Sequence, residues 1–274
     1  KRFAGGHPQS RIVITTRPVG YNSVLLNGWR HYDLLPLDSS AVSRNLARLI
    51  RGIVDDKNSA ETLAARFAQE TISKNKAGTL ISRSPLLLGM ASMLAINNVD
   101  VGTGKAALYR RFFELIGSMP NTRGHFAGIA SPVLVRFLDS VGWEMLSNPL
   151  LPVSSLVKNC ALRLAADMNW PALRAESTAA ECLQYWQDIG LVEKITHGKG
   201  DALTFVHKTF AEYAAARHLQ SIGRGEQASA VARTVQNQAW FEVLSFAASD
   251  GLGDLILKNM LGIPQSAVPA IEGI

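Results

Sequence analysis

Leu203-Thr204-Phe205-Val206-His207-Lys208-Thr209-Phe210-Ala211-Glu212-Tyr213-Ala214-Ala215-Ala216-Arg217 reads as a strand that runs straight into a helix, with His207 at the junction. Upstream, Leu191 to Ile195 and Ala202 to His207 flank the turn Gly198-Lys199-Gly200-Asp201, which predicts a β-hairpin. Helices are expected before it near Pro132 to Leu146, Leu156 to Met168 and Glu176 to Ile189. Downstream, a helix over Lys208 to Ile222 should end at a break, Gly223-Arg224-Gly225, with further helices from Gln227 to Leu261.

Three helices followed by a hairpin is the element order of a winged-helix module. His207 then falls where an imidazole could donate to a phosphate, a charge-assisted contact of about 1.5 to 3 kcal/mol when partly buried. A nearby backbone carbonyl would satisfy the same group equally well.

The first part of the chain carries a different signature. Ile12, Val13 and Ile14 with Thr15 and Thr16 form a β-branched run of the kind found in buried parallel strands, and His31 to Leu37 resembles a second strand. Asp38-Ser39-Ser40 is an N-cap signal for a helix over Ala41 to about Gly52, and Ser59 to Gln69 repeats the amphipathic spacing. Ser84-Pro85 opens an apolar helix, Leu86 to Ile96, which must be buried on most sides. Lys105 to Ser118 places Leu108, Phe112, Leu115 and Ile116 on one face. The fold class is therefore mainly α: the end of an α/β sheet over 1–37, a helical domain over 38–119, a winged-helix domain over 120–223, and the start of a further helical region over 224–274.

Composition agrees with packed helices. Of 274 residues 47% are hydrophobic, 18% charged and 7% aromatic, with mean hydropathy +0.08. The net charge of +6 would favour acidic partners, but the basic residues are spread along the chain, and a solvated surface accounts for them. Cys160 and Cys182 lie inside helical patterns without metal-ligand spacing, as free buried thiols in a reducing, cytoplasmic setting would. No apolar run reaches the roughly 18 to 20 residues a membrane span needs. Lys1 leads almost at once into a strand-like segment, which reads as an internal start within a longer protein.

Several chemical motifs fail on spacing. Gly102-Thr103-Gly104-Lys105-Ala106 has Val99 where a phosphate loop needs glycine and Ala106 where it needs Ser or Thr, so it reads as a turn before a helix. Asp55-Asp56 is expected to cap or turn. Asp250, Gly251, Gly253 and Asp254 lack the alternating ligands of a calcium loop and mark a helix boundary instead.

Three segments taken in order carry a resemblance: Thr15-Thr16-Arg17-Pro18, then Ser84-Pro85-Leu86-Leu87-Leu88, then Phe205-Val206-His207-Lys208-Thr209-Phe210-Ala211-Glu212-Tyr213 with its alanine run. Over about Arg11 to Leu219 the chain resembles the latter half of NACHT domains, a branch of the STAND signalling NTPases. The resemblance implies a sensor role near the terminal phosphate for Arg17, packing against the base for Pro85, and contact with the β-phosphate of ADP for His207. It also implies ATP or ADP with magnesium as the longer protein's cofactors, and use of its NTPase as a switch. An ADP-locked resting state would open on ATP exchange to allow homo-oligomerisation. Trp240-Phe241-Glu242-Val243-Leu244 would lead toward a ligand-sensing array, with an unidentified trigger and effector. Antiviral or innate immune signalling is a common role in that family.

The phosphate-binding loop and the acidic magnesium strand are missing from this sequence and are expected upstream of Lys1. The chain alone is therefore expected to hold nucleotide weakly and to need an upstream nucleotide-binding half. Two other readings stand beside this one. A nucleic-acid-binding winged-helix regulator would use Lys194, His197 and Lys199 in its wing, but the helix around Glu181 to Asp188 is acidic, and nucleic acid is not expected. A helical interaction scaffold would need no nucleotide at all.

Overall fold

The computed structural model describes residues 11–13, 30, 32, 38–54, 56–67, 84–119, 128–149, 151–197 and 200–262. The chain divides into two compact units, Lys1–Pro36 and Leu37–Ile274. In the first, residues 11–13, 30 and 32 carry no strand, and Val13 and Tyr32 are exposed. Most of the two strands expected there, residues 14–16, 31 and 33–37, lies outside the described residues.

The second unit is mainly helical. Helix α1 (Ser39–Arg51) starts where the sequence predicts, with Asp38 Oδ1 accepting from the Ala41 N–H at 2.7 Å. After it, Asp56 Oδ2 accepts from the Ser59 N–H at 2.7 Å and caps α2 (Lys57–Phe67), the solvated capping role expected of that acidic turn. Helix α3 (Pro85–Ile96) buries Leu87, Leu88, Met90, Ala91, Leu94 and Ala95. Proline fixes its first turn, while the Ser84 hydroxyl makes no capping bond, contrary to the capped start expected there. Gly102 and Gly104, both at positive φ, turn the chain into α4 (Gly104–Ser118), so the apparent phosphate loop is a turn.

Helices α5 (Ser131–Ser147), α6 (Val153–Met168) and α7 (Ala172–Asp188) follow, then strands β1 (Val192–His197) and β2 (Gly200–Phe205). The strands pair antiparallel from Val192 opposite Phe205 to His197 opposite Gly200. Their pairing extends further toward the tip than the sequence suggested, leaving a two-residue connection, the length that suits the natural strand twist. Helix α8 (Lys208–Ser221) packs on α5 and on α10 (Phe241–Ala247). Between them α9 (Arg224–Thr234) begins immediately after Gly223, so the break is shorter than Gly223-Arg224-Gly225 implied. Gly251, at φ 113°, kinks the chain between α10 and α11 (Gly253–Leu261), and Asp250 there faces Arg110 at 3.7 Å.

Two buried aromatics tie the bundle together through their polar ends. Tyr185 Oη donates to the Ile116 carbonyl at 2.6 Å, and Trp186 Nε1 donates to the Leu134 carbonyl at 3.0 Å. Both sit on α7, so one helix is fastened to α4 and α5 at adjacent residues. Cys160 and Cys182 are free and buried, and burial pushes both thiols up, Cys182 to about 12. No described helix is long and apolar enough to cross a membrane.

Candidate functional site

His207 is the residue at which β2 becomes α8. Its backbone is extended (φ −144°, ψ 135°), its carbonyl accepts from the Phe210 N–H at 3.0 Å, and the preceding Val206 N–H bonds back to Leu191 at 3.1 Å. The imidazole is the helix N-cap: Nδ1 accepts from the Thr209 N–H at 3.3 Å and lies 2.7 Å from the Thr209 hydroxyl. A backbone N–H can only donate, so Nδ1 is the unprotonated nitrogen and the ring proton sits on Nε2. Half-buried, with the edge of the Phe210 ring beside it at 6.3 Å between centroids, the ring stands at the positive end of a helix dipole.

The Thr209 hydroxyl reaches a third side chain, Tyr109 Oη of α4, at 2.6 Å. Since the threonine hydroxyl donates to Nδ1, the tyrosine donates to the threonine, and the three form one relay. Tyr109 is buried among Phe210, Tyr213 and Phe246, with ring centroids 5.9, 5.4 and 5.1 Å away. Burial is the main cause that pushes its phenol up to about 12. One turn earlier on α4, Lys105 pairs with Glu242 of α10 and lies 4.9 Å from the Phe246 centroid. The N-cap of α8 is therefore mechanically joined to both α4 and α10.

The three residues singled out from sequence fare differently. Arg17 lies outside the described residues. Pro85 is exposed at the first position of α3, which packs on α1, α2 and α4. His207 is brought together with Tyr109 and Thr209, and Pro85 is not part of that hydrogen-bonded set. Sequence reading missed Tyr109 and Thr209. Tyr109 could have been found, because it shares a helical face with Phe113 and Ile116, both buried, whereas the predicted Phe112 and Leu115 are only half-buried. Thr209 stands two residues after the cap, where an N-cap side chain finds its first backbone partner.

Among the described residues no group of three or more His, Cys, Asp or Glu side chains could hold a metal ion. His207 stands at a helix N-terminus, a place where phosphates are commonly held. Compared with known proteins, the chain matches no protein-family model and no curated protein. What the fold defines is a mainly helical protein with a two-stranded antiparallel hairpin.

Proposed function

We propose that this chain is the helical and winged-helix part of a nucleotide-dependent signalling switch of the NACHT type, working in the cytoplasm and oligomerising with copies of itself when opened. The supporting observation is the relay from Tyr109 through Thr209 to His207, which holds an imidazole donor at a helix N-terminus and ties it to a neighbouring helix. A phosphate held by His207 would bias the arrangement of α4 and α8 only by its differential affinity for closed and open states. Innate immune or antiviral signalling would follow from the same resemblance.

The acidic face of α7 speaks against the nucleic-acid reading. Glu176 and Glu181 are exposed on the helix that would have to enter a groove, and Lys194 of the wing faces Asp201 at 3.9 Å. Such a surface repels a phosphate backbone.

The test is the nucleotide released on denaturing the longer protein, with and without His207→Ala. Stoichiometric ADP that falls in the variant, with a rise in basal signalling, is the expected result. Absence of nucleotide from both proteins overturns the proposal in favour of a scaffold.

A further inference from the structure

A cleft of about 360 Å³ opens between α5, α6, α8 and α9, lined by Trp143, Arg163, His218, Glu226, Ser229 and Arg233. Its volume falls within the range of small-ligand pockets. His218 is 1% exposed, and neither of its ring nitrogens has a hydrogen-bond partner. Its nitrogens face the packed interior, so the ring forms the floor of the cleft through its carbon edge. Burial, with Arg163 and Arg136 adding to it, holds the imidazole down to about 3, so the ring is neutral and adds no charge to the cleft.

The remaining groups are arranged for an anion. Arg163 and Arg233 form no ion pair among the described residues, and against them stands the single carboxylate of Glu226. Helix α9 has Gly223 as its N-cap, with no side chain capping it, and Gly225 of its first turn also lines the cleft. Uncapped N–H groups at a helix start, two guanidiniums and a hydroxyl match a phosphate better than a flat carboxylate. Trp143, whose ring lies 5.3 Å from that of His218, supplies an apolar wall.

We propose that this cleft binds the phosphate group of a small ligand, with Arg163 and Arg233 supplying charge, Ser229 a hydrogen bond, and Trp143 contact with the ligand body. It is distinct from the His207 junction, because His218 lies eleven residues further along the same helix, about 16 Å by helical rise. The site therefore stands whether or not His207 contacts a nucleotide.

Calorimetric titration of the 274-residue chain with inorganic phosphate and with phenyl phosphate tests it, with acetate as the control anion. Saturable binding is expected, weakened about tenfold in Arg163→Gln and in Arg233→Gln. Both arginines reach solvent, so these variants should unfold at the wild-type temperature, a condition checked by circular dichroism. Tighter binding of phenyl phosphate would identify an organic phosphate resting on Trp143, and equal affinity would identify free phosphate. No binding beyond acetate, or affinities that ignore both arginine substitutions in folded variants, overturns the proposal.

Discussion

The hydroxyl of Tyr109 lies 2.6 Å from that of Thr209, a bond between helices a hundred positions apart in sequence. Thr209 passes it on to His207 at 2.7 Å. The cap of α8 thus depends on a side chain from α4, and disturbing either end should be felt at the other.

Tyr109→Phe keeps the ring and its contacts with Tyr213 and Phe246 while removing the one hydroxyl. The Thr209 oxygen loses a donor but keeps His207, so the cost should be that of a single net hydrogen bond, about 1 kcal/mol. Urea unfolding is expected to show this loss with an unchanged slope. A loss near zero would mean that Tyr109 serves only as apolar filling.

Gly142 of α5 faces α8 where the two helices come closest. A Cβ placed there would lie 2.7 Å from Ala214 Cβ, 2.8 Å from the Ala211 carbonyl oxygen and 3.0 Å from the Ala215 nitrogen. Backbone cannot step aside, so Gly142→Ala should destabilise by about 1 to 3 kcal/mol despite alanine's better helix propensity. Gly117→Ala is the internal control. Its Cβ would meet only the Cγ2 of Val135, which can rotate away, so thermal unfolding should rank Gly142→Ala well below Gly117→Ala.

These two glycines show where sequence reading stops. Helices α1 to α7 and the hairpin follow from apolar spacing, caps and turn residues, all local, and each lies within a few residues of its expected bounds. The Gly142 contact, the Tyr109 relay and the buried His218 come from helix pairs far apart in the chain, and no local pattern encodes which faces will meet. His207 could be singled out because the strand-to-helix junction is itself local. The cleft around Arg163 and Arg233 could not, since its groups come from four helices.

Asp139 of α5 is 3% exposed, with one oxygen 3.3 Å from Nε of Arg217 and the other without a hydrogen-bond partner. Burial, only partly offset by Arg217 and Arg136, pushes its carboxyl up to about 7 from 3.8. Between those values the folded chain holds a proton that the unfolded chain releases. Its contribution to stability is complete below about 4 and is lost as pH rises through about 7. His218 has the opposite sign: depressed to about 3, it contributes above 6.5 and loses that contribution as pH falls. The wild-type curve mixes the two, so the difference between wild type and Asp139→Asn isolates the carboxyl. The variant's melting temperature relative to wild type should rise between pH 4 and pH 8. A constant difference across that range would show that Asp139 titrates normally.

Two substitutions at His207 separate capping from phosphate contact. His207→Ala removes the acceptor for the Thr209 N–H, a loss of about 0.5 to 2 kcal/mol for an N-cap, and strands the Thr209 hydroxyl with Tyr109 alone. Asparagine is among the best N-caps, so His207→Asn should recover most of that stability. Its shorter side chain does not extend a donor to where Nε2 stood, and ADP retention in the longer protein should stay low. Denaturant midpoints for both variants, set beside their released ADP, give the answer. Stability rescued without nucleotide assigns the imidazole a ligand contact, whereas nucleotide returning in step with stability makes His207 a cap and nothing more.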